Sequence, residues 1–186
     1  VSSAGDVNGD GIDDLIIGAY GADTYTGESY VVYGSDTRSE SELDLSDLNG
    51  TNGFIINGIN TYDQSGASVS SAGDVNGDGI DDIIIGAYGA NYQAGESYVV
   101  YGSESRSAAA LDLSDLNGTN GFTINGIDAG DLSGVSVSSA GDVNGDGIDD
   151  IIIGAFGANS LAGESYVVYG VAGADVSSEN SVDLGS

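Results

Sequence analysis

Oxygen-bearing side chains alternate along the segment Asp6–Asp14, and this spacing is typical of a loop that binds a hard cation. Positions 1, 3, 5 and 9 of the segment are Asp6, Asn8, Asp10 and Asp14. A tightly curled loop points alternate side chains toward one centre, and Gly11 at position 6 permits the sharp turn. The carbonyl oxygen of Ile12, at position 7, can supply a further ligand. Together with a water molecule or a bidentate Asp14, these groups predict a site of about six or seven oxygen ligands.

The charge of this loop indicates which ion it would bind. Three carboxylates that face one centre repel each other unless a divalent cation lies between them. Ca²⁺ suits flexible coordination by about six to eight oxygens, whereas Mg²⁺ demands octahedral geometry and retains more of its water. The sequence therefore predicts calcium, with magnesium as the second choice.

The same loop occurs three times at a constant offset. The segment Val1–Asp14 is repeated without change at Val69–Asp82 and at Val137–Asp150. Three calcium sites are therefore predicted. The second and third consist of Asp74, Asn76, Asp78, Ile80 and Asp82, and of Asp142, Asn144, Asp146, Ile148 and Asp150. A single Asn-Gly-Asp-Gly stretch is more often a plain hairpin turn, but threefold repetition of every acidic residue favours cation binding over that alternative.

Two other kinds of calcium loop begin in the same way but do not fit. An EF-hand requires Glu at position 12 and flanking helices, and a dockerin-like loop requires Asp there, followed by a helix. Position 12 is instead Ile17, Ile85 or Ile153, within an apolar run that is typical of a strand. A ligand set that ends at position 9 and runs directly into such a segment indicates a calcium loop joining two strands of a hairpin.

A 68-residue repeat positions the three loops. The segments 1–68 and 69–136 are identical at 52 of 68 positions, and a partial third copy occupies 137–186. We interpret these segments as two blade repeats and a partial third blade repeat within one continuous repeat domain. The chain therefore contains about 2.7 repeats.

Each copy contains four short apolar segments, rich in Val, Ile and Tyr and bounded by Gly, Asn, Asp or Ser, which is typical of β-strands. Around the second copy, the predicted strands are Ala67–Ala72, Ile83–Ala87, Ser97–Tyr101 and Phe122–Ile127. Their continuous apolar runs favour strands buried on both faces. Helical periodicity is weak, and its best candidate, Leu43–Leu48, fits strand alternation in its first half as well as it fits a short helical turn.

Four strands in every repeat predict an all-β fold of β-propeller blades, each with four antiparallel strands. A β-solenoid is the alternative, although its repeats are usually shorter. A closed propeller needs about four to eight blades, so about 2.7 blades should form an incomplete propeller. The third copy also lacks a counterpart of Phe122–Ile127. The chain is therefore expected to be a segment of a larger repeat protein, or a protomer that completes its blades with its neighbours.

The composition excludes several kinds of chemistry. Cys, His and Lys do not occur in the sequence, which rules out disulfides, a His-ligated zinc site, a Ser-His-Asp triad and a Lys Schiff base. The 30 acidic residues face two basic ones, Arg38 and Arg106, and the formal net charge is −28. This charge argues against nucleic acids and anionic membrane surfaces as partners. The apolar runs are too short for direct membrane insertion.

The sequence resembles the FG-GAP repeats of integrin-α-type β-propellers, in a form similar to bacterial multi-repeat surface proteins. The likeness covers nearly the whole chain. The matching segments are Gly5–Asp14, Leu15–Ala19 and Gly27–Gly34, together with their repeats. The Phe-Gly element of the family reads Ser65-Gly66 and Ser133-Gly134 here, and its Gly-Ala-Pro element reads Gly18-Ala19-Tyr20 in the first copy. The resemblance implies a seven-bladed propeller, calcium in the hairpins on one side, and extracellular adhesion or scaffolding.

The leading functional hypothesis is a calcium-binding structural or adhesion module, located outside the cell or on its surface, in which the ions stabilise the blades. Its expected partners are a protein or glycan at the cell surface, or further copies of itself. The alternative is a protomer that assembles into an extracellular filament, sheath or surface layer by exchange of strands or blades. A carboxylate-based glycosidase is a remote alternative. Because the repeated acids are committed to the loops, no enzymatic activity is expected.

Overall fold

The computed structural model of the protein describes residues 1–37, 42–173 and 181–185. Its strands form three sheets. The first sheet contains the antiparallel strands β1 (Ser2–Gly5), β2 (Asp14–Ala19), β3 (Glu28–Val32) and β4 (Gly53–Asn57). The second contains β5 (Ser68–Gly73), β6 (Asp82–Ala87), β7 (Glu96–Val100) and β9 (Gly121–Asn125), paired in the same way. The third contains β10 (Ser133–Gly141), β11 (Asp150–Ala155) and β12 (Glu164–Val168).

A fifth strand, beyond the four predicted for each repeat, joins each of the first two sheets in parallel. Strand β8 (Ala110–Asp112) pairs with β4, and β13 (Ser181–Asp183) pairs with β9. Each of these short strands comes from the segment that follows the third strand of the next sheet. The added strands therefore tie neighbouring sheets together, in addition to the packing between their faces.

The predicted strands of the second repeat are confirmed, with ends that differ by one or two residues. Among the described residues, the third sheet contains three strands. The three sheets do not close on themselves, and the all-β, incomplete propeller expected from the sequence is confirmed.

Two apolar cores separate the three sheets, and β6 contributes to both. Ile83 and Ile85 pack with Ile16 and Val31 of the first sheet. Ile84, which points to the opposite face of the strand, packs with residues of the third sheet in the second core. All six residues of β6 are buried, as its continuous apolar sequence predicted.

Short helical turns lie in several of the connections between strands. Between the second and third strands lie the helical turns α1 (Ala22–Tyr25), α2 (Ala90–Gln93) and α3 (Ala158–Leu161), which include left-handed residues. Two 3₁₀ turns occupy Leu45–Asp47 and Leu113–Asp115. The sequence of Leu43–Leu48 fits either a strand, in its first half, or a short helical turn. The equivalent segment of the second repeat contains both, because β8 is followed by a 3₁₀ turn. Within the described chain, no helix has the length and apolar character needed to cross a membrane.

Candidate cation-binding loops

The three acidic loops connect the first and second strands of each sheet. Each loop begins just after a strand that ends in Gly5, Gly73 or Gly141. Its ninth position is the first residue of the next strand, which is Asp14, Asp82 or Asp150. The hairpin therefore fixes both ends of the predicted ligand set, while the residues between them are free to curl.

Left-handed glycines produce the curl of each loop. In the first loop, Gly9 and Gly11 have φ angles of 73° and 88°. The equivalent pairs in the other loops have φ angles between 73° and 90°. A side chain at such angles is disfavoured by contact between its Cβ and the backbone, and this explains the Gly at these positions.

Side-chain oxygens at positions 1, 3 and 5 accept hydrogen bonds from backbone N–H groups of the same loop. In the first loop, the Asp10 N–H donates to Asp6 Oδ1 at 3.0 Å and to Asn8 Oδ1 at 2.9 Å. The Ile12 N–H donates to Asp10 Oδ1 at 2.9 Å. The same bonds recur in the second loop at 3.0, 2.8 and 2.9 Å, and in the third at 3.1, 2.9 and 3.0 Å. The side chains at positions 1 and 3 thus share one backbone N–H in every loop, and the side chain at position 5 accepts the N–H two residues further on.

The aspartate at position 9 is buried at the C-terminal end of each loop. Asp14, Asp82 and Asp150 have at most 1% of their surface exposed. Asp14 Oδ2 accepts from the Val7 N–H at 3.0 Å, and its Oδ1 accepts from the Gly34 N–H at 2.7 Å. Equivalent bonds hold Asp82 and Asp150. This carboxylate therefore connects the loop to the chain that leaves the third strand.

Burial, neighbouring acids and backbone hydrogen bonds shift the pKa values of several aspartates in the loops. Burial raises the pKa of Asp14 to about 6 and that of Asp82 to about 8, and backbone hydrogen bonds partly oppose the rise. The charges of the acids at positions 1 and 5 raise both pKa values further. In the exposed third loop, hydrogen bonds from the backbone, led by that of Gly147, lower the pKa of Asp142. A positive ion in a loop would favour the charged form of its carboxylates.

The loops fit a hard cation in the chemistry of their donors. Each offers carboxylate and amide oxygens at positions 1, 3, 5 and 9, and the carbonyl at position 7 belongs to Ile12, Ile80 or Ile148. An oxygen that accepts one hydrogen bond retains a second lone pair for a metal, as does Oδ2 of Asp6, Asp74 and Asp142. Among the described residues, however, no three acidic side chains are already gathered into a metal-binding group. The side chains are instead arranged around backbone N–H groups.

The aspartates at position 8 lie outside the predicted ligand set, and the sequence did not identify the groups that they contact. Asp81 and Asp149, which precede the buried aspartates, accept the backbone N–H of Asp6 and Asp74 in the preceding repeat. The only signal in the sequence was the invariance of the Asp-Asp pair at positions 8 and 9. The sequence could not reveal that position 8 contacts a different loop, since that contact depends on how the sheets stack.

Stacked sheets, each with an acidic loop in its first antiparallel hairpin, define a propeller-type repeat protein. The sequence profile of the FG-GAP repeat matches residues 1–32, 65–100 and 133–174, which is more than half of the chain. The chain therefore belongs to the FG-GAP repeat family.

Curated relatives of the chain are integrin α subunits. It is 32% identical to integrin alpha-5 of Xenopus laevis over 161 residues, and 30% identical to integrin alpha-IIb of Homo sapiens over 169 residues. Integrin alpha pat-2 of Caenorhabditis briggsae is 27% identical over 176 residues. These alignments cover 84–85% of the chain but 13–14% of the relatives, so the chain spans about one seventh of their length.

The departures from the Phe-Gly and Gly-Ala-Pro elements leave the packing between sheets intact. Gly66, in the Ser65-Gly66 element, donates its N–H to the Gly86 carbonyl of the next sheet at 3.1 Å. Gly18 lies against Gly66, where an added Cβ would be 2.0 Å from the Gly66 oxygen. The contact between repeats is therefore made through backbone at glycine positions, and it does not depend on a neighbouring Phe or Pro.

Proposed function

We propose that the chain is a calcium-binding, extracellular module of the adhesion type, in which Ca²⁺ in three hairpin loops stabilises the blades. The proposed ligands are the groups at positions 1, 3, 5, 7 and 9 of each loop. The proposal takes 1–68, 69–136 and 137–186 as the repeat units. The ions act on stability, and the chain is not an enzyme.

The observation that best supports this proposal is the burial of the aspartate at position 9 of each loop. A buried carboxylate is costly unless an opposite charge or several hydrogen bonds compensate it. Each of these carboxylates receives two backbone N–H groups, and the charges of the acids at positions 1 and 5 raise the pKa of Asp14 and Asp82. A divalent cation is the partner that would compensate the acids together, and oxygen donors of this number suit Ca²⁺ better than Mg²⁺.

Location and partners are proposed from the relatives. The similarity is to integrin α subunits, and the implied extracellular adhesion role of that family supports an extracellular or cell-surface location for this chain. A protein or glycan at the cell surface is the proposed partner. The strong negative charge supports the exclusion of nucleic acids.

Isothermal titration calorimetry tests calcium binding directly. Ca²⁺ titrated into chelator-treated protein should bind saturably with three ions per chain. The triple variant Asp14→Asn, Asp82→Asn, Asp150→Asn should lose this binding, while Asp36→Asn, Asp47→Asn, Asp115→Asn, with the same change of charge at exposed positions, should retain it. Wild-type protein that gives no saturable signal at millimolar Ca²⁺ would overturn the proposal.

A second candidate function is self-assembly, and it is favoured by the outer face of the third sheet. Ile152, Val167 and Tyr169 are 38%, 45% and 59% exposed. Their equivalents in the second repeat, Ile84, Val99 and Tyr101, are at most 6% exposed because the third sheet covers them. At the other end of the stack, Leu15 is 50% exposed, whereas the equivalent Ile83 is 1% exposed. A second copy could therefore continue the stack head to tail through the contact that already joins the sheets.

Sedimentation velocity tests this second candidate. Wild-type protein in calcium should form larger species as its concentration rises, and Ile152→Lys should reduce them because it places a charge in the apolar contact. Tyr92→Lys, at a residue that is 93% exposed on α2, is the matched control and should assemble as the wild type does. A monomer at every concentration would contradict self-assembly, but it would leave the proposal of calcium binding unchanged.

A further inference from the structure

The aspartates at position 8 join the loops of neighbouring repeats through paired hydrogen bonds. The Asp6 N–H donates to Asp81 Oδ2 at 2.9 Å, and the Asp81 N–H donates to the Asp6 carbonyl at 3.2 Å. Asp74 and Asp149 form the same pair at 3.1 and 3.2 Å. We call these two contacts the inter-loop pairs. Each holds the backbone of the first loop residue through both its N–H and its carbonyl group.

A glycine makes room for each inter-loop pair. The Asp81 carboxylate lies against Gly5, where an added Cβ would be 2.2 Å from Oδ2. Gly73 contacts the Asp149 carboxylate in the same way, and the corresponding distance is 2.1 Å. At the equivalent Gly141, no described atom lies within 4 Å of the added Cβ. The invariant Gly before each loop therefore fits the carboxylate of the next repeat where that repeat is present.

The next repeat also covers the second residue of the loop. The Val7 carbonyl accepts from the Ser103 N–H at 2.9 Å, and the Val75 carbonyl accepts from the Val171 N–H at 3.0 Å. Val7 and Val75 are 4% and 5% exposed, whereas the equivalent Val143 is 56% exposed. The first two loops are thus docked on a following repeat over successive residues, and the third loop has no such support within the described chain.

We propose that Asp81 and Asp149 are positioning residues for the cation sites of the repeat that precedes each of them. Asp81 positions the site that begins at Asp6, and Asp149 positions the site that begins at Asp74. Neither is a ligand in this arrangement. Each fixes the backbone of the first ligand, so that less conformational freedom is lost when the ion binds. The inference rests on the proposed calcium binding and adds that the first two sites bind more tightly than the site that begins at Asp142.

Calorimetry with Ca²⁺ on alanine variants tests this role. Partners that orient a metal ligand typically contribute about 10- to 100-fold to affinity. Asp81→Ala should therefore weaken one of the three sites by about tenfold, and Asp149→Ala should weaken another. Asp13→Ala is the matched control, because Asp13 has the same position and the same neighbouring buried aspartate but lies exposed, with no hydrogen-bond partner in the described chain. It should leave all three affinities unchanged.

Asp81→Asn separates the hydrogen bond from the charge. Asn keeps an oxygen that can accept the Asp6 N–H, so this variant should bind Ca²⁺ nearly as tightly as the wild type. Amide hydrogen exchange in calcium-free protein provides a readout that needs no metal. The Asp6 amide should exchange faster in Asp81→Ala and remain protected in Asp81→Asn and Asp13→Ala.

The outcomes distinguish this inference from the function on which it rests. Wild-type protein that binds no Ca²⁺ would overturn the proposed function. Wild-type protein with three sites, none of them weaker in Asp81→Ala than in Asp13→Ala, would overturn the positioning role alone. Equal weakening by Asp81→Asn and Asp13→Asn would also overturn it, since the effect would then be one of charge.

Discussion

In each candidate site, the carboxylate at position 9 is buried, whereas those at positions 1 and 5 are partly or fully exposed. Asp82 is fully buried and receives the N–H groups of Val75 and Gly102 at 3.0 and 2.9 Å. Asp78, in contrast, lies exposed on the curl of the loop. The exposed acids can turn to water when no ion is bound, but the buried one cannot. The cost of leaving a loop without its cation is therefore concentrated at position 9.

Asp82→Asn should remove the stabilisation that calcium provides at one of the three sites. At ten times the dissociation constant, one site contributes about 1.4 kcal/mol to the free energy of unfolding. Three such sites contribute about 4 kcal/mol, so the variant should lose at least one third of the calcium-dependent gain, because its site is one of the two proposed to bind more tightly. Thermal melting with and without Ca²⁺ measures that gain for each protein, and the loss of one acceptor oxygen in calcium-free protein cancels in the comparison.

Asp115→Asn is the control for this substitution, because Asp115 is exposed and lies outside the loops. It should retain the full gain in melting temperature on addition of calcium. If Asp82→Asn also retained the full gain, Asp82 would not be a ligand.

The elements show which parts of the structure the sequence could predict. Continuous apolar runs such as Ile83-Ile84-Ile85 identified the strands and their double burial, and the spacing of acids and glycines identified the hairpin loops. The parallel pairing of β8 and β13 was not predictable in this way, because each strand is three residues long and pairs with a sheet formed earlier in the chain. The inter-loop pairs were hidden for the same reason: they depend on the stacking of sheets, which local patterns do not encode.

Stacking at the element scale depends on glycines in the second strand of each sheet. Gly86 faces the next sheet, and a Cβ added there would be 2.0 Å from the Gly134 oxygen. Gly86→Ala should therefore push the second and third sheets apart and lower the free energy of unfolding by about 1–3 kcal/mol. Urea denaturation followed by circular dichroism measures this loss.

Gly154→Ala is a matched control at the equivalent position of the third sheet. Its added Cβ would lie 3.6 Å from Ser136 Cβ, an ordinary contact. This variant should unfold at the same urea concentration as the wild type or slightly above it, because Ala restricts the unfolded chain more than Gly does. Equal destabilisation by the two substitutions would show that strand propensity, not stacking, requires the glycine.

At the scale of the whole molecule, repetition concentrates negative charge along one side of the stack. The three loops follow the first strand of each sheet, and the inter-loop pairs bring successive loops together. The formal net charge is −28, and three bound divalent ions would reduce it to about −22. Because charges of one sign repel each other in a compact state, the ions oppose both the local crowding in each loop and the repulsion between loops.

Removal of calcium should therefore destabilise the molecule as a whole, and more so at low salt. With about 4 kcal/mol from three sites, and about 2–4 °C per kcal/mol for a chain of this size, EDTA should lower the melting temperature by about 10 °C. At high NaCl the difference between calcium-loaded and chelated protein should shrink, because salt screens the repulsion in the chelated state. Differential scanning calorimetry at two salt concentrations measures both effects, with Mg²⁺ as a comparison ion that should restore less of the stability. An unchanged melting temperature in EDTA at low salt would contradict a stabilising role for the ions, whatever their affinity.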